Sequence, residues 1–234
     1  MLERSSGILD WAGLHHIHNS CFIFRQGFDT ISGMIEVVYL DLGKVLIDFD
    51  YSLAARKILR ISPLPLSEIA CVLSEPNLMF EFETGKLSAI EYYQRISKAL
   101  EIEVSLDEFQ LLWGSMFLPE PLVSEKFLQA LKQRKRLILL SNTNEIHFEY
   151  LEKTFPILKQ VDERVLSYQV GYMKPGPQIF RVAIDKAGVA PEKIFFADDR
   201  IENVEAACSA GIQAIQFKSE KQLQLEMNAR GIEC

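Results

Sequence analysis

What most limits the fold of this chain is where its short apolar runs stop. Ile35-Glu36-Val37-Val38-Tyr39-Leu40 reads as a buried strand, and it ends on Asp41. Leu137-Ile138-Leu139-Leu140 ends on Ser141-Asn142, and Phe195-Phe196-Ala197 ends on Asp198-Asp199. Between the last two, Lys174-Pro175 precedes a helical pattern. The ends of hydrophobic strands are where open α/β sheets build ligand sites. In chain order these junctions offer an acid, a hydroxyl, a lysine and an acid pair. Each has a plainer reading alone: Asp198 or Asp199 could cap a helix, Ser141 and Asn142 could make a turn, and Lys174 could be a solvated charge.

Beyond Pro121 the pattern alternates. Helices are expected over about 123–133, 145–153, 178–187 and 202–210, with strands at 137–140, 165–166, 194–197 and 212–217. Gly188 and Gly211 suit helix C-termini. Repeated βα units mean a parallel sheet flanked by helices, the Rossmann-like class of α/β folds. The stretch from about 52 to 117 is helix-rich instead. Ile90, Tyr93 and Ile96 share one helical face, as do Phe109, Leu112 and Met116. Ser88 with Glu91, and Ser105 with Glu108, form capping-box signatures. The expected organisation is a core of residues 34–50 and 120–234 with a small inserted helical cap, 51–119. The turn Glu83-Thr84-Gly85-Lys86 is a candidate to dip toward the site.

The first 33 residues lack a regular period and hold three of the four histidines, His15, His16 and His18. With Cys21 they match no zinc-binding spacing. The fold is expected to begin at Met34, with 1–33 as an extension. A length of 234 residues suits one sizeable α/β domain with an insert, and 48% hydrophobic residues is too high for disorder. A net charge of −7 with no basic run argues against a nucleic-acid surface. No apolar stretch is long enough to span a membrane. The four cysteines have no paired spacing, as expected of thiols in a reducing cytoplasm.

Asp41-Leu42-Gly43, Ser141-Asn142, Lys174-Pro175 and Asp198-Asp199 resemble the four ordered motifs of the haloacid dehalogenase-like hydrolase superfamily. Leu140-Ser141-Asn142-Thr143-Asn144 and Phe195-Phe196-Ala197-Asp198-Asp199-Arg200 are similar to the helical-cap branch that includes bacterial α-D-glucose-1-phosphate phosphatases. The resemblance implies a phosphatase acting on a small phosphorylated metabolite, a sugar phosphate being favoured. It implies Asp41 as the nucleophile that forms an aspartyl-phosphate, and Ser141, Asn142 and Lys174 as phosphate contacts. It implies Mg²⁺ held by Asp41, the Gly43 carbonyl and Asp199, with Asp198 as a further contact or a partner behind it.

The chain departs from that pattern at Gly43, where most superfamily phosphatases carry a second aspartate that protonates the leaving group. A general acid contributes about 10²–10⁴-fold in rate, so its absence suggests a substrate with a good leaving group. Two other readings stay open at this point. A metal-independent dehalogenase also lacks the second acid, but such enzymes tend to lose the acid pair that this chain keeps. A non-catalytic binding or regulatory protein could place the Lys44 ammonium in the metal position. Asp48 and Asp50 are expected to be loop acids, with Asp48 a minor candidate for the site. His147 is expected to serve packing or the surface.

Overall fold

The computed structural model describes residues 34–233. The His15, His16, His18 and Cys21 group lies outside them. Five parallel strands form one sheet in the order β5-β4-β1-β6-β7. They are β1 (Val37–Leu40), β4 (Arg136–Ser141), β5 (Glu163–Leu166), β6 (Ile194–Asp198) and β7 (Gln213–Gln216). The first strand in sequence is the central one, so chain that continues from it leaves the middle of the sheet.

Side-chain alternation sends successive residues to opposite faces. Val38, Leu40, Leu137, Leu139 and Phe195 share one face with side chains from α6 (Glu125–Lys132), α7 (Glu145–Thr154) and α11 (Glu220–Asn228). Val37, Tyr39, Ile138, Leu140 and Phe196 share the other with α9 (Pro177–Ala187) and α10 (Ile201–Ser209). Both faces are covered, and that is why these strands read as continuous apolar runs rather than alternating ones. No helix among the described residues is long and apolar enough to cross a membrane.

After β1 the chain makes β2 (Ile47–Phe49), then five helices, and returns along β3 (Phe117–Pro121). β2 and β3 pair antiparallel, a ribbon at the foot of the helical stretch that the sequence did not suggest. Pro119 and Pro121 argue against a strand there, but a proline can sit in an edge strand whose N–H is not needed. The helices are α1 (Tyr51–Ile58), α2 (Leu66–Leu73), α3 (Pro76–Glu83), α4 (Ala89–Ala99) and α5 (Leu106–Gly114). They enclose a core of their own. Phe82 stacks on Tyr92 with ring centroids 4.0 Å apart, and Phe109 stacks on Trp113 at 4.4 Å.

Both capping boxes form, starting α4 at Ser88 and α5 at Ser105. One face was misjudged. Ile90 is exposed at 56%, Tyr92 is buried with Ile96, and Tyr93 packs half-buried against Phe109 of the same core. Tyr92 meets the rings of Phe82, Phe109 and Trp113, and that turns the apolar stripe of α4 away from Ile90. α11 was also not anticipated. It is mostly polar, and only Leu223 and Met227, four residues apart, are buried.

Candidate active site

The sheet register brings the strand ends level. Leu40 lies opposite Leu139 of β4 and Ala197 of β6, so Asp41 emerges between Leu140 and Asp198. The Asp41 N–H continues the ladder, donating to the Ala197 carbonyl at 3.0 Å. Lys174 reaches into this gap from the loop before α9. Its Nζ lies 2.9 Å from Asp41 Oδ1 and 2.6 Å from Asp198 Oδ2, and donates to the Leu140 carbonyl at 2.7 Å. A lysine at 3% exposure is tolerated because all three of its N–H donors have acceptors, two of them charged. Burial pulls its pKa down, but Asp41 and Asp198 overcome that and hold it above its ordinary value.

Asn142 fixes where the lysine sits. Its amide donates to the Lys174 carbonyl and accepts from the Lys174 N–H, both at 2.8 Å. The side chain expected to touch substrate is thus engaged first in placing Lys174. Ser141 lies at the end of β4 and lines the cavity described below. Asp198 is fully buried, and its Oδ1 accepts from the Arg200 N–H and from Asn203 Nδ2, both at 2.9 Å. Asp199 is more open. Burial, then the neighbouring Asp198, raises its pKa. Burial also pushes Asp41 up to about 6, against the pull of Lys174 and the N–H of Leu42, which donates to Oδ1 at 2.7 Å.

Oxygens of Asp41, Asp198 and Asp199 lie within 4.8 Å of one another. Three carboxylates facing one ammonium leave negative charge uncompensated; burial first, and Asp198 in addition, raise Asp41 and Asp199. A hard divalent cation that takes oxygen ligands is the chemical complement of such a set. Mg²⁺ fits these residues.

Above the strand ends lies a cavity of about 680 Å³. Leu42, Gly43, Ser141 and Asn142 line its floor, and α1, α3 and α5 contribute its far wall. A Cβ on Gly43 would come within 2.9 Å of the Phe49 ring, so β2 fills the space a side chain would need there. Lys44 turns away from the acids. Its ammonium pairs with Asp48, donates to the Phe49 carbonyl at 2.8 Å and lies over the Phe49 ring. Lys44 does not occupy the metal position, and Asp48 is held away from the site by the same pairing. Asp50 caps α1 by accepting from the Ser52 N–H.

His147 takes the packing alternative of its expected roles, with its ring edge-on to Phe117. It is buried and lines the cavity. Asn144 Nδ2 donates to its Nδ1 at 3.0 Å, assigning the proton to Nε2, which has no hydrogen-bond partner among the described residues. Burial lowers its pKa to about 4, so the ring is neutral. Its position one helical turn past the Asn144 cap was the available signal.

The turn after α3 does approach the core. Glu83 lines the cavity, and a Cβ on Gly85 would lie 2.1 Å from the Tyr168 carbonyl oxygen in α8 (Ser167–Val170). Gly85 also has φ +68°. Gly85→Ala is therefore expected to destabilise the protein by more than the roughly 1–2 kcal/mol cost of left-handed backbone alone, because the turn must also lift off Tyr168. Thermal melts check the first effect, and increased proteolysis of the α3–α4 turn the second.

The haloacid dehalogenase-like hydrolase profile matches residues 73–211. The D-ribitol-5-phosphate phosphatase of Bacteroides thetaiotaomicron is 26% identical over 189 residues, 78% of this chain and 92% of that one. A phosphorylated carbohydrates phosphatase of Thermotoga maritima is 29% identical over 128 residues, 51% of this chain and 59% of that one. A crystal structure of a haloacid dehalogenase family enzyme from Bacteroides thetaiotaomicron, in complex with magnesium and inorganic phosphate, superposes with a TM-score of 0.71. It is 27% identical and covers 80% of this chain and 96% of that one. The profile spans more than half the sequence, and its residues include the serine, the lysine and the acid pair gathered around Asp41. This chain belongs to the haloacid dehalogenase-like hydrolase family.

Proposed function

We propose that this protein is a Mg²⁺-dependent phosphatase that hydrolyses small phosphate monoesters, sugar or polyol phosphates in particular, through an aspartyl-phosphate on Asp41. The observation that carries the reading is the Lys174 ammonium bridging Asp41 and Asp198 at the end of the central strand. Such a cluster has a nucleophile, a fixed positive charge for the phosphoryl oxygens and surplus carboxylates. A dehalogenase, whose leaving group is already an anion, has no need of those extra acids.

In this reading Asp41 attacks phosphorus, and its carboxylate needs no base when ionised. Lys174 stabilises charge on the transferring group, and the Ser141 hydroxyl binds a phosphate oxygen. Asn142 keeps Lys174 in place. Asp41, the Gly43 carbonyl and Asp199 would hold Mg²⁺, with Asp198 behind them orienting Lys174. Bound there, Mg²⁺ would neutralise the acids and polarise the phosphate. Helices α1–α5, within residues 51–119, act as a cap that excludes water and selects the alcohol. The protein works in the cytoplasm.

The cavity wall favours a second reading of the alcohol alone. Phe49, Ile58, Met79, Phe80, Trp113 and Phe117 make much of it apolar. A phosphate carried on a less polar body would bury more apolar surface there than a sugar can. A panel of sugar phosphates, D-ribitol 5-phosphate, prenyl monophosphates and n-hexyl phosphate separates the two. Release of phosphate from none of them would sink the whole proposal. Chelation is expected to cut turnover by about 10²-fold or more, and added Mg²⁺ to restore it. A rate indifferent to chelator would remove the metal from the scheme.

A further inference from the structure

Resting on the phosphatase reading, we infer that Glu83, carried on the helical unit rather than on the sheet, is the acid that protonates the departing alcohol. An alkoxide is a poor leaving group, so such a proton donor is needed for a sugar, polyol or alkyl ester. The sheet offers none. Gly43 has no side chain, and Phe49 blocks its place. Asp41 is the nucleophile, Lys174 is bound to three acceptors, and Asp198 is held by Lys174, Arg200 and Asn203. Asp199 belongs to the cation.

Three ionisable groups of the cavity wall remain besides Tyr51. Glu75 caps α3, accepting from the N–H groups of Asn77 and Leu78, and so is used as an anion. His147 is neutral, and neutral imidazole is far too weak an acid. Glu83 is left. Pro76, Met79, Phe80 and Glu83 fall at helical spacing along α3 and all line the cavity, so the helix presents one face to it. Phe82 points instead into the helical core, stacked on Tyr92. The Gly85 turn, seated against Tyr168, holds the C-terminal end of α3 on the sheet domain. The Glu83 carboxyl has no hydrogen bond or ion pair among the described residues, so it is available to substrate.

The charged and titratable groups near Glu83 agree with a carboxyl that keeps its proton. Arg200, in the loop after β6, draws the pKa down, but burial outweighs it and pushes Glu83 up to about 7. Tyr51 of α1 and Tyr92 of α4 both feel the Glu83 charge and are themselves neutral, their own pKa values raised first by burial. In the first half-reaction the bond from Asp41 Oδ to phosphorus forms, the bond from phosphorus to the alcohol oxygen breaks, and the Glu83 proton passes to that oxygen. In the second, the Glu83 carboxylate takes a proton from water. The water oxygen then bonds to phosphorus, and Asp41 is released.

The test compares the Mg²⁺-loaded wild type with Glu83→Gln on p-nitrophenyl phosphate and on the best alkyl ester of the panel, across pH. The variant is expected to lose about 10²-fold or more in the single-turnover rate of alcohol release from the alkyl ester and less than about threefold in that of p-nitrophenol release, whose leaving group needs no proton; the later hydrolysis step is shared by both esters and does not enter these rates. Wild-type turnover of the alkyl ester is expected to fall above about pH 7, as the carboxyl ionises, while that of the aryl ester does not. Equal losses on both esters would mean that Glu83 only shapes the cavity, and no loss on either would remove it. Should the variant fail to fold, a wild-type alkyl rate that stays level from about pH 6 to 8.5 overturns the inference by itself. A wild type inactive on every ester overturns the phosphatase reading and this one with it. An active enzyme with unchanged leaving-group dependence overturns only the role of Glu83.

Discussion

Replacing Asp41 by Asn is expected to stop phosphate release, by about 10⁴-fold or more, while leaving the protein folded and no less stable. An amide oxygen keeps the shape of the carboxylate and can still accept from the Leu42 N–H, but it is a far weaker nucleophile. The stability half of the expectation follows from the charge balance. Asp41 is one of three carboxylates crowded at the end of β1, and burial already raises its pKa to about 6. Lys174 keeps Asp198 and the Leu140 carbonyl when Asp41 is neutralised, so no buried charge is left alone. Relieving repulsion at a functional site commonly stabilises a fold by a fraction of a kcal/mol to about 2 kcal/mol. Thermal melts with and without Mg²⁺, beside single-turnover phosphate release, read both effects. A variant that kept more than a tenth of wild-type turnover would take the nucleophile's role from Asp41.

The sequence made the sheet-end residues legible because burial on both faces writes strands as plain apolar runs, and the polar residues that end them stand out. Asp41, Ser141 and Asp198-Asp199 are legible for that reason and Lys174 from its place before a helix with Pro175, and the structure brings them together. Packing relations across the chain were not readable. That Asn142 braces the Lys174 backbone depends on the β4 loop and the loop before α9 lying side by side, 32 residues apart in sequence. That Lys44 folds back on Asp48 depends on the β2–β3 ribbon, and its second strand was hidden by two prolines. Helical spacing puts Ile90 on the inward face, but the ring contacts of Tyr92 with Phe82, Phe109 and Trp113, made across the helical unit, turn α4 otherwise. For His147 the cue is its place one helical turn past the Asn144 cap; the Phe117 ring that packs edge-on against it comes from the returning strand and is not legible.

Substituting Lys174 is expected to be the most damaging single change, for stability and chemistry together. Lys174→Met removes the ammonium but leaves Asp41 and Asp198 buried beside each other. Breaking a buried ion pair from one side costs about 3–5 kcal/mol, because the remaining charge has neither water nor a partner. Here two carboxylates and the Leu140 carbonyl lose their donor at once. Lys174→Arg is not expected to rescue it. A planar five-donor fork needs more room than a side chain at 3% exposure occupies, and it does not match three acceptors converging on one point. The stability and catalytic losses can be separated by a second substitution. In Lys174→Met/Asp198→Asn one of the stranded charges is gone, and the Asn side-chain oxygen can still accept from the Arg200 N–H and Asn203. Thermal and urea melts in chelator should then show much of the lost stability regained, a coupling of about 1–3 kcal/mol in the double-mutant cycle. Phosphate release should stay absent, since no cation remains to meet the phosphoryl oxygens. Independent, additive losses in that cycle would mean that Lys174 and Asp198 do not act as a pair, and the bridge at the end of the central strand would lose its place in the mechanism.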